Sequence, residues 1–194
     1  IFDTQGRMLA QAVTGTPGHV NAMIESVGHF LRHFPAHTMR PGDAFLTNDP
    51  WMGTGHLNDF VVLTPCFHEG KLVALSCCTS HITDVGGMAA GADGTDVFAE
   101  GLNIPMLKLA ENGKISEVVL AFICANSRLP SDAAGDVYSL VACNDAGISR
   151  LAALMADAQM QDLGELGDFI LARSRQAVLA AIAQVPAGSV SYVL

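Results

Sequence analysis

Histidine and aspartate recur three residues apart at two places in this chain, His56-Leu57-Asn58-Asp59 and His81-Ile82-Thr83-Asp84. An imidazole nitrogen and a carboxylate oxygen offered together suit a divalent cation such as Zn, Mn or Fe(II), and supply too few hard oxygens for a dedicated calcium cage. The first pair follows Asn48-Asp49-Pro50-Trp51-Met52-Gly53-Thr54-Gly55 and the second runs into Val85-Gly86-Gly87, so both lie on chain that uses glycine torsions. The candidate ligands are His56, His81 and Asp84, three protein groups that leave room for water or substrate, as a catalytic metal requires. Asp59 is a candidate fourth ligand, a general base, or a group that orients His56. The competing reading is a buried polar network that only organises the glycine loops.

The elements that must position these groups are legible in the apolar pattern. Residues 60–67 and 72–79, rich in Val, Leu and Cys, flank His68-Glu69-Gly70-Lys71 and predict a hairpin of buried strands. Antiparallel pairing brings the start of the first strand beside the end of the second, so the two His-x-x-Asp elements meet at one sheet edge. Upstream, Val20, Met23, Ile24, Val27, Leu31 and Phe34 predict a helix entered through Thr16-Pro17, with His29 and His33 opposite its apolar stripe. Ile1 to Gln11 suits a small hairpin around Asp3-Thr4-Gln5-Gly6, and residues 44–47 form a short apolar run that delivers the loop 48–58.

Further along, Gly86 to Gly101 reads as a long loop of the lid type, and 118–125 as a buried apolar stretch of either class. Segments 131–146, 148–160 and 163–185 read as helices broken near Gly147 and Gly164 and stopped by Pro186-Ala187-Gly188. The last residues, 190–194, look like a strand. The fold class is α+β: a mixed or antiparallel sheet with a central hairpin, flanked by helices, the C-terminal half mainly helical. Residues 1–130 carry the metal site and 131–194 continue the same domain. With no Met at its start, the chain reads as a fragment of something longer.

Other polar residues have two readings each. Asp49 is a candidate catalytic carboxylate, although Asn48-Asp49-Pro50 is also an ordinary turn signal. Trp51 either walls a substrate pocket or plugs the core. Arg128 either holds a substrate carboxylate bidentately or forms an internal ion pair, and Glu100 is either an acid or base or simply faces water. No serine elbow, P-loop or dinucleotide fingerprint occurs, so ATP, if used, is held elsewhere. Ten Lys plus Arg against nineteen Asp plus Glu give a net charge of −9 without a basic stripe, which argues against nucleic acid and anionic membrane partners. Five cysteines, odd in number and set in apolar runs, with no signal segment or apolar span of ~18 residues, point to a soluble protein of the reducing cytoplasm.

Six stretches in order, Phe2-Asp3-x-x-Gly6-Arg7, Pro41-Gly42-Asp43, Asn48-Asp49-Pro50-Trp51-x-Gly53-Thr54-Gly55-His56-x-x-Asp59, His81-x-x-Asp84-x-Gly86-Gly87, Glu100-Gly101-Leu102-x-Ile104-Pro105 and Asn126-x-Arg128-x-Pro130, resemble the hydantoinase B family. That family includes the metal-bearing subunits of ATP-dependent N-methylhydantoinase and of acetone and acetophenone carboxylases, and part of 5-oxoprolinase. The resemblance implies a catalytic divalent metal on His56, His81 and Asp84, with a further aspartate ligand in an Asp-Phe-Ser motif that would fall just before Ile1. It also implies a hetero-oligomer with a hydantoinase A-type partner subunit that carries ATP, and a substrate that is a cyclic amide or a ketone. A subunit of an ATP-dependent amidohydrolase opening hydantoin-like rings is the expected function. A ketone carboxylase subunit is the alternative, and a non-catalytic structural subunit the third.

Overall fold

The structure, a computed structural model, describes residues 1–13, 15–88, 93–186 and 188. Helix α1 (Pro17–His33) starts with Pro17 in its first turn, where a missing N–H costs nothing. A 3-10 turn (Ala36–Thr38) leads into β1 (Ala44–Thr47), and the hairpin of β2 (Asp59–His68) and β3 (Lys71–His81) follows. Then come a short α2 (Val97–Glu100), β4 (Leu107–Glu111), β5 (Lys114–Ile115), α3 (Glu117–Ala125), α4 (Pro130–Asp157) and α5 (Gly164–Ile182). The strands form one antiparallel sheet in the order β3-β2-β1-β4-β5, so the fold is α+β as the pattern predicts, with the long hairpin lying on one side of the sheet.

The hairpin turns through Glu69 and Gly70, both at positive φ (48° and 79°), as a two-residue loop matched to the right-handed strand twist requires. Pro65, which cannot donate to a ladder, lies past Leu63, the last β2 residue with a partner on β1. Both sheet faces are covered, which is why the strands are apolar without alternation. Phe45, Val61, Leu63 and Leu75 pack under Met23, Val27 and Phe30 of α1. Leu46, Phe60, Val62 and Ile82 pack under Ile123 of α3 and Ala133, Val137 and Leu140 of α4.

Several expectations need correction. Helix α4 runs unbroken through Gly147, so this glycine does not break the helix; a Cβ there would come 3.5 Å from Ser76 Oγ, an ordinary contact. The stretch 118–125 is the helix α3, but only Ile123 is buried, and Val118 and Phe122 face outward. Ile1 to Gln11 closes through the single bridge Phe2 to Met8, with Phe2 also bridging Leu75. Part of the glycine loop is the helical turn α2, while its residues 89–92 and the proposed terminal strand 190–194 lie outside the described residues.

The contact between α4 and the sheet is polar at one buried point. Asn144 donates from Nδ2 to the carbonyl of Val62 (3.0 Å) and to Thr64 Oγ1 (3.1 Å), and accepts from Ser76 Oγ (3.0 Å). Replacing it leaves three buried groups unpaired, each of which costs about 1–3 kcal/mol. Asn144→Leu is expected to lower stability by at least ~2 kcal/mol in denaturant unfolding, and a change within ~0.5 kcal/mol would show that the network carries no load.

Candidate functional site

The β2–β3 register sets Asp59 directly opposite His81, and directly opposed residues share a face. The turn before β2 is closed by the Asp59 N–H donating to the His56 carbonyl (3.2 Å), which folds His56 back over the start of the strand. Its Nε2 lies 3.2 Å from Asp59 Oδ2, while His81 Nδ1 lies 3.3 Å from Asp59 Oδ1. The two imidazole rings stand 5.1 Å apart, centroid to centroid. Among the described residues, His56, Asp59 and His81 are the group whose nitrogen and oxygen ligand atoms fall within 4.8 Å of one another.

The loop that delivers His56 is held by Asn48, which is buried. Its Nδ2 donates to the carbonyls of Leu57 (2.6 Å) and Leu102 (2.8 Å), and its Oδ1 accepts from the Ile104 N–H (2.6 Å). Asn48 thus ties the 48–58 loop to the chain leaving the glycine segment, which explains why a polar residue is tolerated at full burial.

Asp84 is placed elsewhere. Its Oδ1 accepts from Arg128 Nε (3.1 Å) and from the second guanidinium nitrogen, and its Oδ2 accepts from the Arg128 backbone N–H and from Ser127 Oγ (3.2 Å). Ile82 goes into the core beyond the last strand residue, and the chain then turns so that Asp84 faces the junction of α3 and α4. Asp59 takes the position beside the imidazoles that the sequence pattern assigned to Asp84. Arg128, a candidate for substrate, is engaged in the internal ion pair and also reaches the Gly86 carbonyl (3.2 Å). Gly86 sits at φ 78°, and a Cβ there would come 2.4 Å from the Asn126 carbonyl oxygen, so the clasp admits no side chain.

The remaining candidates divide clearly. Asp49 Oδ1 accepts from the N–H groups of Trp51 (2.9 Å) and Met52 (3.1 Å), the bonding of a turn-forming aspartate. Trp51 is 74% exposed and does not plug the core. With Pro50, Gly55, Asp96, Val97 and Glu100 it lines an open cavity of about 430 Å³, to which none of His56, Asp59 and His81 contributes. His29 and His33 lie on the outer side of α1, His29 pairing with Arg32 (2.9 Å). All five cysteines are free, and burial pushes the Cys77 thiol up to about 12 and raises that of Cys78, so neither is a thiolate nucleophile at neutral pH.

One functional neighbour escapes the spacing analysis. His19, in the first turn of α1, places Nε2 2.9 Å from Asp59 Oδ2, and Thr54 Oγ1 reaches the same oxygen at 3.2 Å. His19 has no histidine or carboxylate three or four residues on, but it falls on the buried stripe of α1 with Met23, Ser26, Val27 and Phe30. A polar residue on that stripe was the available signal.

The charge balance shows whether these residues fit a metal. Four aspartates are buried among the described residues: Asp3, Asp43, Asp59 and Asp84. Asp3 pairs with Arg7, Asp43 with Lys108 and Asp84 with Arg128, whereas the ion-pair partners of Asp59 are His19, His56 and His81. A carboxylate 1% exposed, with imidazoles and one hydroxyl as its side-chain partners among the described residues, lacks a permanent positive charge beside it. The Nδ1 atom of His56 is also buried without a partner. Two nitrogens and a carboxylate oxygen match the donor preference of Zn, Mn or Fe(II), so the residues present fit a divalent metal.

The family model described as Hydantoinase B/oxoprolinase matches residues 1–193. The chain belongs to this family. Caprolactamase subunit beta of Pseudomonas jessenii is 30% identical over 158 residues, covering 80% of this chain and 27% of that subunit. The acetophenone carboxylase delta subunit of Aromatoleum aromaticum is 37% identical over 103 residues, covering 51% of this chain and 15% of that subunit. The crystal structure of the ATP-dependent caprolactamase from Pseudomonas jessenii superposes with a TM-score of 0.86 at 26% identity, over 96% of this chain and 32% of that one. The chain therefore spans about a third or less of these relatives. No helix among the described residues is long and apolar enough to cross a membrane.

The Asp84 to Arg128 pair makes a pH prediction. Hydrogen bonds from the Arg128 side chain, and next from its backbone, hold the Asp84 carboxyl well below the usual carboxylate range. A folded pKa below the unfolded value of about 3.9 means that the stabilisation is complete above that pH and fades as pH falls below it. The stability difference between wild type and Arg128→Met is expected to shrink steadily from about pH 5 to about pH 2. A constant difference in thermal unfolding across that range would mean that Arg128 acts through packing alone.

Proposed function

We propose that the whole protein is the metal-bearing subunit of an ATP-dependent amidohydrolase that opens cyclic amides of the hydantoin or lactam type. The reading rests on one observation: three imidazoles, of which His56 and His81 close on one point with the carboxylate, converge on a buried aspartate that pairs with no lysine or arginine among the described residues. His56, Asp59 and His81 would hold the ion, and Asp84 serves the loop clasp instead. When bound, such a metal polarises a carbonyl oxygen or lowers the pKa of a bound water.

The chain's own residues do the rest of what can be assigned here. His56 and His81 keep 38% and 56% of their side chains accessible, so the site opens outward while Asp59 stays dry. Trp51 and the cavity that it lines, joined to His56 through Gly55 in the chain, would give a planar ring a surface to stack on. A hydantoinase A-type partner would bind ATP and phosphorylate the amide oxygen, which makes a poor electrophile attackable. Net hydrolysis adds water across the C–N bond and releases ADP and phosphate. Family membership and the likeness to caprolactamase subunit beta support the cyclic amide.

A second reading, a subunit of an ATP-dependent ketone carboxylase, is favoured by the likeness to the acetophenone carboxylase delta subunit. There the same donor set would steady an enolate attacking CO2 or its activated form. The full complex is to be supplied with ATP and assayed for ring opening of a hydantoin or lactam and, separately, for bicarbonate-dependent loss of a ketone.

His81→Ala is expected to leave assembly intact, to remove the metal from the isolated complex, and to lower turnover by at least ~100-fold. Full turnover in this variant would sink the metal-centre reading, and turnover with ketone and bicarbonate alone would replace hydrolase by carboxylase.

A further inference from the structure

We infer that His19 is a positioning residue of this site, one that holds Asp59 through Oδ2 and so presents Oδ1 toward His81. The inference rests on the metal reading above but concerns a residue from a different element. Asp59, Val61 and Leu63 share one face of β2, the face under α1, and the stripe of α1 that packs there begins with His19. Helix packing thus delivers an imidazole to the start of β2 from 40 residues upstream, 59 minus 19.

The contacts at Asp59 assign the role. Oδ2 accepts from the Thr54 hydroxyl (3.2 Å), and His19 Nε2 (2.9 Å) and His56 Nε2 (3.2 Å) stand against the same oxygen. Of these, His19 is the nearest and comes from a separate element, α1. Among the described residues, the side chain that meets Oδ1 is His81, through Nδ1. His19 is not among the residues whose ligand atoms close on one another within 4.8 Å, so its contact is with the carboxylate and not with the proposed ion. Hydrogen bonding of a ligating carboxylate from outside is a general means of fixing its orientation, and its loss typically weakens metal binding 10–100-fold.

The test uses the whole protein in its complex, with zinc affinity measured by competition against a chromophoric chelator and coordination followed by the visible spectrum after Co(II) substitution. His19→Ala is expected to bind zinc about 10–100-fold more weakly while keeping one metal per chain at saturation and the wild-type Co(II) spectrum. His19→Gln, whose amide retains an N–H, is expected to recover most of that loss. Wild-type affinity in the alanine variant overturns the proposal, as does a loss as complete as that of His81→Ala with an altered Co(II) spectrum, which would make His19 a ligand. No recovery with glutamine also overturns it, because packing would then be the whole effect. Should the alanine variant fail to fold, the glutamine variant decides alone: near-wild-type affinity with an unchanged spectrum supports the role, and a loss beyond 100-fold overturns it. A wild-type complex that binds no metal would sink the metal reading itself, an outcome distinct from a metal-binding wild type that is indifferent to His19.

Discussion

Burying the Asp59 carboxylate is the constraint that organises this end of the molecule. A charge removed from water needs compensation by several kcal/mol, through a counter-charge or a full set of hydrogen bonds. The fold meets that need conventionally at Asp3, Asp43 and Asp84, each beside a lysine or arginine. At Asp59 it supplies imidazoles and one hydroxyl. Histidine is the side chain that accepts a cation through the same nitrogen that otherwise faces the carboxylate. The difference between Asp59 and the other three is therefore one of electrostatics: its counter-groups are side chains that can be neutral.

The imidazoles are held by strand register and by buried side-chain anchors at a distance. The Asp59 to His81 pairing depends on the two-residue turn at Glu69-Gly70, since a one-residue slip would send His81 to the opposite face. The His56 turn depends on Asn48 bonding to Leu57, Leu102 and Ile104, and that anchor in turn depends on the glycine segment returning past β1. Arg128 and Asp84 close the same segment onto the start of α4. The two buried aspartates divide the work, one balancing the site and one fastening the loop that frames it.

The hairpin was legible because buried strands, a Glu-Gly turn and terminal histidines leave a clear pattern, and pairing alone then joins residues about 25 apart. The choice between Asp59 and Asp84 was not legible. Both stand three residues after a histidine, and what separates them is the register, which keeps Asp59 in the strand, and the reach of Arg128 across 44 residues to Asp84. Gly147 gives a false signal for a related reason: a glycine inside a helical pattern is tolerated as often as it ends the helix, and the packing of α4 on the sheet carries the helix through it. The exposed side of α3 could not be read from composition, because apolar residues on both sides of a helix do not say which side finds a partner. His19 was missed because metal-like spacing was sought within single elements, while α1 meets β2 only through tertiary packing.

Exposure is divided unevenly among the members of the cluster. His56 and His81 stand at one end of the β2–β3 hairpin with their imidazoles partly solvated, while Asp59 between them is 1% exposed. Nothing in the pattern of glycines and lysines provides a cradle for triphosphate, and the guanidinium nearest the glycine segment is spent on Asp84. Two half-exposed imidazoles around one dry carboxylate leave the cluster open to a ligand from the solvent side, while the charge itself stays shielded within the fold.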